Sequence, residues 1–192
     1  MKIVKRFIKD EQTSLISGVF DEFLVSDSFH LPFDSIEFHI RDSDISIVKG
    51  DKALVCLDYN NPLFLQKDIK GIKTIVRHEF FRLMFKTNLS RDIEDVIIGR
   101  EMIKRGFGED LLYVYYHYIV NSKATNIQDY IKSNLPWIIF QGYDKNNSEF
   151  LKKATEKQNK RRKICDHLFD LLTNLSSKNL HEVIEEYKKL IR

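Results

Sequence analysis

Residues 71–86 read GIKTIVRHEFFRLMFK, and one position among them, Glu79, governs how the rest of the chain is read. The stretch has helical periodicity. At about 100° per residue, Ile72, Ile75, Val76, Phe80 and Leu83 share one face. Glu79 falls in the middle of that apolar face, and His78 and Arg82, four apart, stack on its flank. A carboxylate turned toward a core is costly unless a cation or a proton answers it. Glu79 therefore predicts a partner: a metal-bound water, an arginine or its own proton.

Working outward toward the N-terminus, Leu15, Ile16, Val19, Phe20, Phe23 and Leu24 have helical spacing and predict an amphipathic helix over 10–25. A turn follows at His30-Leu31-Pro32. Ile36, Phe38 and Ile40 alternate with Glu37 and His39, which reads as a strand. Ile45-Ser46-Ile47-Val48 alternates too, and Lys49-Gly50-Asp51-Lys52 reads as a turn. Residues 53–59, nearly continuous in apolar character, read as a third strand, ended by Asn60-Asn61-Pro62. Together these predict a small antiparallel sheet.

Toward the C-terminus the pattern is helical. Helices are expected near 68–86, 91–105 and 108–121, with Gly106 and Gly108 between the last two. One more is expected over 126–133, and Pro136 reads as the first turn of another. A long charged helix is expected over 147–174. The last covers 179–192, with Asn179 and Glu182 in capping-box spacing. The fold class expected is α+β and mostly helical: an N-terminal helix, a small sheet, then a helical bundle with a C-terminal extension. A change of character near 143–150 suggests a core domain at 1–143 and a helical hairpin at 144–192, packed on that core.

The pair His78-Glu79, on a helix that follows an apolar strand, resembles the active-site helix of the zincin metallopeptidases, whose signature is His-Glu-x-x-His. Two histidines at i and i+4 project from one helix face and reach a zinc at about 2.0–2.1 Å. The intervening glutamate deprotonates the zinc-bound water. The resemblance implies His78 as a metal ligand, Glu79 as the general base, and Glu94 or Asp95 as a ligand from the next helix. It covers residues 10–121 at most. The departure is Arg82, which stands where the second histidine belongs. A guanidinium has no lone pair to donate and stays protonated. Two outcomes follow. Either Arg82 supplies the charge a metal would have brought, bridging Glu79 and the Glu94-Asp95 pair, and catalysis is lost; or a histidine from elsewhere, His117 being the candidate, completes a zinc site. An active form would be a zinc-dependent hydrolase of peptide or protein substrates.

Simpler readings of the same residues stand beside this one. His78 fits a boundary histidine bonded to a carbonyl, and Glu79 and Arg82 fit an ordinary i,i+3 ion pair. Glu94 and Asp95 follow Ser90-Arg91-Asp92 in a first turn, where the helix dipole favours carboxylates. Arg100 shares a face with Ile93, Val96, Ile97 and Ile103, so it needs an acidic partner or a route to water. Gly99, inside a helix, signals close packing. Tyr113, Tyr115, Tyr116 and Tyr118 around His117 read as packing with hydroxyls outward, or as an oxyanion donor.

The segment from Lys152 to Lys163 is the most basic and offers a phosphate track for nucleic acid, though Glu149 and Glu156 interrupt it. That defines the rival class, a non-enzymatic helical module binding nucleic acid or a protein. The formal net charge of +3 is too weak to imply nucleic acid by itself. Cys56 and Cys165 have no disulfide or zinc spacing and read as reduced, which favours the cytoplasm. No stretch approaches the roughly 20 apolar residues of a membrane helix.

Overall fold

The computed structural model describes residues 2–6, 35–41, 45–49, 52–58, 60–85, 89–121, 123–159 and 162–191. The chain is α+β and mostly helical, and it divides into two compact units, Met1–Lys86 and Thr87–Arg192. The helix expected over 10–25 lies outside the described residues.

Among the described residues, the first unit holds four strands: β1 (Lys2–Arg6), β2 (Ser35–Arg41), β3 (Ile45–Lys49) and β4 (Lys52–Asp58). Their order is β1-β2-β4-β3. The expected antiparallel sheet is corrected here. Only β3 and β4 run antiparallel, with Lys49 opposite Lys52. β1 pairs with β2 in parallel, and so does β2 with β4. Strands adjacent in sequence read as neighbours, but β4 inserts between β2 and β3. The physical reason is burial: the most continuously apolar strand takes a place with a neighbour on either side. Ala53, Val55, Cys56 and Leu57 of β4 are all buried there. On β2, Ile36 is fully buried, while Glu37 accepts a 2.8 Å hydrogen bond from His39 on the other face.

After the sheet comes a short helix, α1 (Pro62–Leu65), with Pro62 in its first turn and Asn61 as its cap. The helix α2 (Ile69–Met84) then starts at Asp68, whose carboxylate accepts from the Gly71 amide at 2.8 Å. Gly71 packs closely on α1: a Cβ there would lie 2.8 Å from Leu63 Cδ1. α2 packs along β3.

The second unit is a helical bundle of α3 (Arg91–Lys104), α4 (Gly108–Asn121), α5 (Ile127–Phe140), α6 (Lys145–Gln158), a 3-10 turn (Lys163–Cys165), α7 (Asp166–Thr173) and α8 (Leu180–Ile191). α3 ends in a Schellman motif. Gly106 takes φ +89°, and the amides of Gly106 and Phe107 return to the carbonyls of Ile103 and Met102.

The centre of this unit is α5, which packs against α3, α4, α6, α7 and α8. Every residue from Ser133 to Phe140 is buried. Pro136 therefore sits inside this helix instead of opening another. A proline deprives the carbonyl four residues back of its amide. Here α6 supplies hydroxyls to neighbouring carbonyls: Thr155 donates to Ser133 O at 3.1 Å and Ser148 to Trp137 O at 2.9 Å. The change of character near residue 143 falls between α5 and α6, which pack on each other within this unit.

The single helix expected over 147–174 is broken after Gln158. Asn159 turns extended and buries its side chain, which accepts from the Ala124 amide at 2.8 Å and donates to Ser133 Oγ at 3.3 Å. Those inward bonds compete with continuing the helix. The capping box expected at Asn179 is also replaced. Its side-chain amide donates to the carbonyls of Leu171 and Asn174, so it serves the end of α7.

Candidate functional site

On α2, the buried residues Ile72, Val76, Phe80 and Leu83 form the inner face, with Ile75 half-buried at its edge. Glu79 lies within that face and is 4% exposed; Arg82 is 8% exposed. The Arg82 guanidinium donates through Nε to Glu79 Oε2 at 3.2 Å. His78 Nδ1 stands 3.8 Å from the other carboxylate oxygen, Oε1, at the edge of solvent. One turn of helix thus presents imidazole, carboxylate and guanidinium side by side. An i,i+3 pair on an open surface contributes a few tenths of a kcal/mol. At this depth, desolvation offsets most of the attraction, and leaving either charge alone costs about 3–5 kcal/mol.

The other residues singled out from the sequence belong to the second unit. Glu94 and Asp95 are half-buried on α3, Glu94 in its first turn. Arg100 sits on the same helix. In place of the expected acidic partner or route to water, it donates to the carbonyls of Ile138, Leu172 and Thr173 at 3.3, 2.9 and 2.8 Å. Those carbonyls lie in the last turns of α5 and α7, where the helix dipoles favour a cation. Burial lowers the Arg100 pKa from its usual value. Arg100 is thus a structural tie among three helices. His117, on α4, packs its ring on Tyr113 with 4.6 Å between centroids. Among the described residues, no three His, Cys, Asp or Glu side chains form a group that could hold a metal ion.

Two features escaped the sequence reading. Asp92 read as a first-turn carboxylate, yet it is 2% exposed and accepts from the Tyr187 hydroxyl of α8 at 2.5 Å. The spacing of Val183, Tyr187 and Leu190 marks the inner face of α8, but not what the tyrosine meets there. The second is Phe150, the one aromatic residue of α6, which stacks on Tyr116 with centroids 5.3 Å apart.

No family model, no curated protein and no solved structure matches this chain. Among the described residues, no helix is long and apolar enough to cross a membrane.

Proposed function

We propose that this chain is a zincin-like protein that has lost its metal and its peptidase activity, with Arg82 supplying the positive charge that answers Glu79. The observation that carries this reading is the buried Arg82 Nε–Glu79 Oε2 bond of 3.2 Å. The zinc implied by the resemblance needs a lone pair at position 82, and a guanidinium has none. It needs a carboxylate free to take a proton from water, and one oxygen of Glu79 is engaged by Arg82. The donor set does not fit the metal, so no hydrolytic step is assigned to it. What the unit retains is the His-Glu helix behind a small sheet, an arrangement that suits binding a peptide or protein segment without cleaving it.

Metal analysis of the protein and of Arg82→His tests this. The wild type is expected to carry far less than one zinc per chain after dialysis at neutral pH. Arg82→His restores two imidazoles at i and i+4 beside Glu79, and it is expected to gain zinc and lose it to a chelator. A wild type holding about one zinc per chain, with peptidase activity that chelation removes, overturns the loss of catalysis. An Arg82→His variant that folds but takes up no zinc overturns the zincin-like reading itself.

A further inference from the structure

The rings around His117 have no part in the reading above. Phe150 of α6 stacks on Tyr116 of α4, with 5.3 Å between centroids and planes 27° apart. Tyr116 meets His117 edge-on at 6.5 Å, and His117 meets Tyr113 at 4.6 Å. The four rings are thus linked pair by pair, with His117 and Tyr113 half-buried. Phe150 is 48% exposed and Tyr116 is 40% exposed. At about 100° per residue, Lys153 and Lys157 fall within about 60° of Phe150 on α6. Both lysines are exposed, and so is Asn146 on the same side. On the same wheel Glu149 and Glu156 lie about 100° and 120° from Phe150, past the lysines. On α4, Glu109 precedes Tyr113 by about one turn and bounds the row there.

We propose that the row Phe150–Tyr116–His117–Tyr113, flanked by Lys153 and Lys157, is a docking ledge for a single-stranded polynucleotide. Exposed ring faces stack bases whatever their sequence, and amines set along the same edge meet the backbone phosphates. The chemistry favours this occupant over an apolar peptide. The face offers rings and ammonium groups, and Val120 is its one exposed aliphatic residue among those described. The surface also differs from a simple basic run over Lys152–Lys163. Lys152 already lies over the Trp137 ring at 5.0 Å, and Arg162 over the Tyr130 ring at 5.6 Å. Among the described residues of α6, Lys153 and Lys157 are the cations on the same side of the helix as Phe150. This proposal concerns the second unit and stands or falls independently of Arg82.

The test is fluorescence anisotropy of the full-length protein with a labelled oligothymidylate of about twenty nucleotides, over a range of salt. Saturable binding is expected at low salt. Phe150→Ala and Tyr116→Leu are each expected to weaken it at least about fivefold, and Tyr116→Phe to preserve it. The pair Lys153→Gln and Lys157→Gln is expected to flatten the plot of log affinity against log salt by about 0.7 for each phosphate that is no longer neutralised. Because Phe150 and Tyr116 are exposed, the variants are expected to melt as the wild type does. Three results overturn the proposal: no saturable binding at low salt, removal of either ring without effect, or a duplex that competes as well as the single strand. Retention of cellular proteins in the absence of oligonucleotide binding overturns it too.

Discussion

Glu79 and Asp92 are both buried carboxylates, and their partners differ in charge. Glu79 meets a guanidinium, whereas Asp92 meets the neutral hydroxyl of Tyr187. A neutral donor does not offset the loss of hydration, so burial raises the Asp92 pKa. The Tyr187 bond and the charges of Lys132 and Arg91 oppose that shift, and Asp95 adds to it. Burial and the same hydrogen bond also push the Tyr187 hydroxyl well above its usual range. The sign for stability follows from linkage. With its pKa higher in the folded chain, Asp92 favours the fold most below the ordinary value of 3.8, and that contribution is lost as pH rises through the folded value. Asp92→Asn keeps an acceptor for Tyr187 and cannot ionise. In melts from acid to neutral pH, the difference in Tm between Asp92→Asn and wild type is expected to shift in favour of the variant as pH rises. A difference that stays flat would show that Asp92 does not titrate in that window.

At the scale of single elements, α5 illustrates how packing overrides local preference. Its proline lies inside a helix packed on by five others, and the Thr155 and Ser148 hydroxyls of α6 bond the nearby carbonyls of Ser133 and Trp137. The close approach of α3 to α5 depends on Gly99. A Cβ there would stand 2.8 Å from Ile139 Cγ2 and 3.1 Å from the Tyr115 hydroxyl. Alanine gains about 1 kcal/mol of helix propensity over glycine, but forcing a methyl into a filled space costs about 1–3 kcal/mol. Gly99→Ala is therefore expected to lower stability by about 1 kcal/mol net in urea unfolding. A stabilised variant would mean that Ile139 changes rotamer freely. Gly99 was legible as a close-packing glycine from sequence, because a glycine inside a helical pattern has few other uses. The break after Gln158 was not legible, because lysine and glutamate precede it, arginine and lysine follow it, and only the inward bonds of Asn159 oppose the helix.

For the whole molecule, the division at Lys86 and Thr87 makes the second unit a candidate for independent folding. It encloses its own core around α5, and the Asp92–Tyr187 bond ties its first helix to its last. Residues 87–192 expressed alone are expected to give a helical circular dichroism spectrum and one cooperative melt. A helical spectrum without near-ultraviolet signal would show that this unit needs the first for its packing. By itself the sequence determined the α+β class, the three later strands, the helix carrying His78 and Glu79, and the inward turn of that carboxylate. Those follow from periodicity and from the cost of burying charge, which act within a few residues. The order and direction of the strands, the partners of Arg100 and Asp92, and the stack of Phe150 on Tyr116 were decided only by tertiary structure. Each depends on which groups arrive from distant parts of the chain, and local spacing does not encode that.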